Sequence, residues 1–219
     1  MKKLFVLFAA AMLSASVSAQ TVQESKTFDN IYIGVNGGVA TKTTGNRWLS
    51  NLNPNAGLRI GRWFTPVFGL AIEGNAYFSN KPAESVGTVV RGINTQLLGT
   101  VNLSNWFGGY KGEPRAFEVV ALYGLGWGHL FGTQNGKQNN MTSKAGLDFA
   151  FNLGANKAWQ IYVEPAIVWG LAGNSIIGKN EPRYDINTSY VQLNAGIIYK
   201  FNNSNGTHNF KIVEPRDQA

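Results

Sequence analysis

The sequence predicts an all-β fold: an eight-stranded antiparallel transmembrane β-barrel of up-and-down topology, preceded by a cleaved signal peptide. Three observations predict it. Apolar and polar residues alternate with a period of two in eight separate runs, the mark of strands whose successive side chains point to opposite faces. Connections between the runs alternate between short and long, as in a barrel with turns on one side of a membrane and loops on the other. The polar face of each run is made of Gly, Asn, Gln and Thr with isolated charges. A water-washed surface would carry Lys and Glu there, whereas small and amide side chains suit a crowded barrel interior.

The N-terminus supplies an export address. Lys2 and Lys3 precede an apolar stretch, Leu4 to Leu13, and Val17-Ser18-Ala19 offers the small residues of a cleavage site between Ala19 and Gln20. The stretch is too short to span a bilayer as a helix, and the absence of cysteine excludes a lipoprotein anchor, a disulfide framework and thiol chemistry. Charged residues are 14% of the 219, against about a quarter in soluble domains. Aromatic residues reach 12%, and the chain holds 26 glycines. The formal charge of +7 is dispersed along the chain, so it marks no nucleic-acid face.

Residues 20–30 read as a periplasmic lead-in, 31–201 as the barrel and 202–219 as a periplasmic tail or linker. The first strand is Ile31 to Ala40, with Ile31, Ile33, Val35 and Val39 on one face. The second, Asn55 to Phe64, sets Ala56, Leu58 and Ile60 against Asn55, Gly57, Arg59 and Gly61; Pro66 in the next connection ends ladder pairing. The third, Phe68 to Phe78, sets Leu70, Ile72 and Ala76 against Glu73, Asn75 and Tyr77. The fourth, Val90 to Leu103, sets Ile93, Leu97 and Val101 against Asn94, Gln96 and Thr100, and a Gly-rich turn, Gly108 to Pro114, follows. The fifth, Ala116 to Leu130, carries Glu118 on its polar side; the sixth, Ser143 to Leu153, carries Asp148. The seventh, Trp159 to Trp169, sets Ile161, Val163 and Ile167 against Tyr162 and Glu164.

The eighth run, Val191 to Phe201, alternates most regularly, with Lys200 on its polar side. Aromatic residues fall near strand ends in two bands. Trp63, Phe64, Phe68, Trp106, Phe107, Trp159, Tyr199 and Phe201 lie by the short turns; Phe78, Trp127, Phe131, Trp169 and Tyr190 lie by the long loops. Such bands fit the interfacial girdles of a membrane barrel. The tripeptide Gly61-Arg62-Trp63 is similar to a lipocalin motif, but its position in the second strand makes it a chance match.

Within the last strand, Asn194-x-Gly196-x-x-Tyr199-x-Phe201 resembles the closing-strand signal of bacterial outer-membrane barrels. With the eight runs and the loop pattern, residues from about Ile31 to Phe201 resemble the N-terminal transmembrane domain of OmpA-type proteins, features shared with small barrels similar to OmpX. The resemblance implies a bacterial outer-membrane location, with termini in the periplasm and long loops outside. It implies an assembly machinery that reads the closing signal, and an envelope of lipid and lipopolysaccharide as surroundings. The tail looks like the start of a linker to a peptidoglycan-binding domain in Bacteroidetes-type relatives. Peptidoglycan is expected as a partner only if such a missing C-terminal domain exists. The chain reads either as a truncated protein of this type or as a standalone barrel.

Arg59, Glu73, Glu118, Asp148, Glu164 and Lys200 fall on the polar face and are expected to form an interior charge network, because buried charges must pair. Arg59 and Lys200 are the expected partners of Glu73, Glu118 and Glu164. The resemblance implies a salt-bridge plug whose partner exchange gates a small conductance. His129 and His208 lie too far apart for a shared metal, and no nucleotide loop or nucleophile motif is present. No catalytic, metal or cofactor residue is assigned, and no nucleic-acid partner. Polar loops at Asn46 to Asn53, Asn80 to Val89, Gly132 to Thr142 and Gly173 to Asn187 are where host or surface ligands would touch. The expected function is a structural barrel contributing to envelope integrity; the alternatives are a narrow low-conductance channel for small solutes and a loop-mediated adhesin.

Overall fold

The structure, a computed structural model, describes residues 22–78, 89–131, 139–173 and 184–213. The signal segment, its cleavage site at Ala19 and Gln20, and much of three long loops lie outside the described residues. Eight strands close into one barrel, each hydrogen-bonded to its sequence neighbours, with β8 returning to β1. They are β1 (Ile31–Lys42), β2 (Asn53–Trp63), β3 (Phe68–Tyr77), β4 (Gly92–Asn102), β5 (Phe117–Leu130), β6 (Asn139–Leu153), β7 (Trp159–Gly173) and β8 (Ser189–Lys200). All eight pairings are antiparallel.

The period-two pattern places its two sets of side chains on opposite sides of the wall. Leu58, Ile60, Ile72, Leu97 and Leu193 are each more than half exposed, and they belong to the outward parity of their strands. Tyr32, Arg59, Glu73, Gln96, Asp148, Glu164 and Asn194 share the inward parity and are buried. The barrel is thus polar inside and apolar outside, the reverse of a water-soluble domain. An apolar cluster of Tyr32, Ala71, Leu98, Leu122, Ala150, Tyr162 and Ile198 completes the filling, with Trp63 against it. Two glycines make this packing possible. A Cβ at Gly61 would come within 2.3 Å of the Tyr32 ring, and one at Gly196 within 2.4 Å of the Tyr162 ring.

Several details depart from the sequence expectation. β6 begins four residues before Ser143 and β7 runs four beyond Trp169. Asn139 to Thr142 carries no apolar alternation, but its backbone is paired on both sides, with an irregularity at Met141/Thr142 on the β7 side. Leu103 opens a short helix, α1 (Leu103–Gly108), rather than ending β4: the Asn102 side chain accepts from the Asn105 N–H at 3.0 Å and starts the turn. Two residues expected in the girdles face inward. Trp63 has the inward parity of β2, packs on the apolar cluster and lines a cavity at the short-turn end. Tyr190 has the inward parity of β8, and its hydroxyl meets that of Tyr77 at 3.1 Å.

The segment after β8 turns back across the end of the barrel that carries the short turns. Asn203 and Asn30 bond reciprocally, the Asn30 N–H donating to Asn203 Oδ1 and Asn203 Nδ2 donating to Asn30 Oδ1, both at 2.7 Å. Asn30 adopts a left-handed φ of 61° at this corner. Phe210 is buried edge-on against Tyr110, whose hydroxyl donates to the Phe210 carbonyl at 2.6 Å. Burial raises the Tyr110 hydroxyl above the usual tyrosine range. Val22 and Ile212 form an antiparallel bridge, and the Gln23 N–H donates to the Lys211 carbonyl.

Candidate functional site

The lumen is filled in three polar layers. The one at the long-loop end is neutral. Asn36, Asn55, Asn75 and Asn194, from β1, β2, β3 and β8, exchange amide hydrogen bonds of 2.7–3.1 Å. Beside them the Tyr77 hydroxyl donates to Gln192 at 2.8 Å, and Gln96 donates to Thr142 at 2.7 Å.

The middle layer is ionic and joins opposite walls. Arg59 on β2 donates through Nε to Glu73 on β3 and through Nη1 to Asp148 on β6, each at 2.7 Å. Its Nη2 donates to Glu164 on β7. Lys144 on β6 donates to Glu73 and pairs with Glu164. Arg59, Glu73, Lys144 and Glu164 are at most 2% exposed. The guanidinium also lies 4.9 Å from the centre of the Tyr162 ring, close enough for a cation–π contact. Charges this dry are tolerated only when each is bonded on several sides. Gly196 thereby supports the layer indirectly, since it leaves the room that Tyr162 fills beneath Arg59.

The layer at the short-turn end is separate. Glu118 accepts from Asn102 Nδ2 at 2.6 Å and from the Arg115 N–H at 2.9 Å. Lys200 donates to Asn152 at 2.9 Å and to Asn209 of the returning tail at 3.3 Å. Of the six expected network residues, Arg59, Glu73, Asp148 and Glu164 meet directly, whereas Glu118 and Lys200 do not reach them. Lys144 takes the place expected of Lys200. Its signal was its parity, since 144 shares a face with Gly146 and Asp148 within the run from Ser143 to Leu153. Asn194 and Gly196 of the closing-strand pattern face the lumen. Tyr199 packs against Trp159 at 4.8 Å and Phe201 at 5.4 Å between ring centres.

His129 does not assemble a catalytic group among the described residues. Its Nδ1 is bonded to Asn139 Oδ1 at 2.5 Å and its ring lies on Phe131. Asp148 is opposite Val120, nine ladder positions along β5. Between the ionic layer and the short-turn end lie two small cavities of about 20 and 60 Å³.

A closed eight-stranded barrel with an apolar outer wall and a polar, plugged lumen is a small transmembrane barrel of the outer-membrane kind. It resembles the OmpA-type barrels in fold and resides in the bacterial outer membrane. No family model matches the chain. Outer membrane protein 40 of Porphyromonas gingivalis is 22% identical over 203 residues, covering 82% of this chain and 52% of that protein. The chain therefore spans about half the length of the curated relative it matches. Among solved structures, Neisserial surface protein A is 11% identical, with a TM-score of 0.53, and covers 79% of this chain and 98% of that one. The N-terminal β-barrel domain of Pseudomonas aeruginosa OprF is 13% identical with a TM-score of 0.47, covering 78% and 97%. At these identities the structural likeness is one of fold.

Proposed function

We propose that the protein is a structural barrel contributing to envelope integrity, with its lumen held shut. The supporting observation is the Arg59–Lys144 layer, which ties β2 and β3 to β6 and β7 on the far side, across the lumen. One brace both obstructs the lumen and links its opposite walls. Lipid and lipopolysaccharide are the surroundings such an outer wall fits. Asn194, Gly196, Tyr199 and Phe201 are proposed as the segment the assembly machinery reads, and contact with peptidoglycan would require a further domain.

The narrow-channel reading is favoured by one observation: the two cavities on the periplasmic side make that part of the lumen able to hold water up to the ionic layer. Planar-bilayer recording of the purified protein separates the two. The closed reading expects no steady current from the wild type. A steady ohmic current would overturn it and assign the protein to the channel reading.

A further inference from the structure

The ionic layer does not balance. Two cations, Arg59 and Lys144, face three carboxyl groups, Glu73, Asp148 and Glu164. The layer at the short-turn end adds one charge of each sign, Lys200 and Glu118, so the excess of one carboxylate persists through the lumen. The oxygens identify where it resides. Both oxygens of Glu73 and both of Glu164 receive a cation. Asp148 receives Arg59 at Oδ2, but its Oδ1 has no donor among the described residues.

Strand register gives an independent indication. Gly146 faces Ala166 and Phe149 faces Val163 across β6 and β7. The same register sets Leu147 opposite Pro165, which has no N–H to donate, and Asp148 opposite Glu164. Like charges directly opposite on neighbouring strands destabilise a sheet, and two carboxylates in contact in a dry site do not both ionise. Both also accept from the same guanidinium, Asp148 from Nη1 and Glu164 from Nη2, so the two carboxyl groups stand side by side on one cation.

We propose that Asp148 is a proton-binding site: Oδ1 carries a proton that it donates to Glu164, and the layer is neutral only in that state. Around it stand Tyr32 of β1, Arg59 of β2, Glu73 of β3, Glu118 of β5, Lys144 of β6, Tyr162 and Glu164 of β7, and Lys200 of β8, while β4 presents the uncharged Gln96 and Thr100. Exchange with solvent runs toward the periplasm. Asp148 lines the 20 Å³ cavity, and Tyr32, Trp63, Gln160 and Lys200 line both it and the larger one at the mouth. A space of about 10–15 Å³ suffices for one water, so the smaller cavity provides a relay.

The test is infrared spectroscopy of the whole protein in lipid at neutral pH, with and without ¹³C-carboxyl aspartate. A protonated-carboxyl C=O band that shifts on aspartate labelling, and is lost in Asp148→Asn, is the expected result. The amide of Asp148→Asn can donate to Glu164 and accept from Arg59, so its unfolding midpoint in urea is expected to match the wild type. Absence of the band in the wild type overturns the proposal, as does a band insensitive to aspartate labelling. A large loss of stability in Asp148→Asn overturns it too, because the native group would then be an ionised partner of Arg59.

Discussion

The layer at the long-loop end and the middle layer both fill the same lumen, and they differ in how each would respond to the loss of one member. In the amide layer every side chain is neutral and carries both donors and acceptors. Removing Asn75 leaves the bonds from Asn194 to Asn36 and to Asn55 in place. In the ionic layer Arg59 is a hub, joined to all three carboxyl groups. Without it, Lys144 faces them alone. Neutral redundancy gives a filling that degrades gradually; a charged hub gives one that holds or fails together.

The largest predicted effect tests the hub. Arg59→Gln is expected to cost about 3–5 kcal/mol, the range for orphaning buried ionic partners, read from urea unfolding of the barrel in liposomes. A loss under about 1 kcal/mol, the ordinary scale of a hydrogen bond, would show that the two layers behave alike. Asn75→Ala comes next. Its expected cost is about 1 kcal/mol, measured the same way, and a cost equal to that of Arg59→Gln would abolish the contrast.

The smallest effect concerns the tail, where Asp29 accepts from the Ser204 N–H at 2.8 Å and its hydroxyl at 2.6 Å. Burial opposes the Asp29 charge. Hydrogen bonds from Ser204 and Lys26 outweigh it and hold the carboxyl below its usual range. A depressed carboxylate contributes its stability above the unfolded value of about 3.9 and loses it as pH falls through the folded one. Amide exchange over residues 203–212 is therefore expected to be slow at neutral pH and to gain an added acceleration below about pH 4. Asp29→Asn should give fast exchange there at all pH values, with the barrel's unfolding midpoint within about 0.5 kcal/mol of the wild type.

Much of this was legible from parity alone. Once Arg59, Glu73, Asp148 and Glu164 are assigned to the polar side of their runs, a closed sheet directs them into one lumen. Parity failed where it was not followed to the strand ends. Trp63 and Tyr190 were assigned by aromatic character to the girdles, although each shares a face with inward neighbours, Gly61 and Gln192. Lys144 lies inside the run read from Ser143 to Leu153, and the same parity that places Asp148 on the polar side places Lys144 there too. Which carboxylate meets which cation depends on register and on side-chain reach between strands far apart in sequence, and no local pattern records that. The returning tail was illegible for the same reason. Asn203, Ser204 and Asn209 read as linker, and only their partners at Asn30, Asp29 and Lys200 turn them into a cap.

That cap has a mechanical consequence. A pull applied at Val213 is met first by the Val22–Ile212 bridge, then by the seated ring of Phe210, then by the Asp29–Ser204 and Asn30–Asn203 clasps. Only after these does tension reach the seam between β8 and β1. The contacts are arranged in series and release in succession, each lengthening the chain before the next is loaded. A pull at that end is therefore expected to open the cap contacts before it loads the membrane-embedded ring.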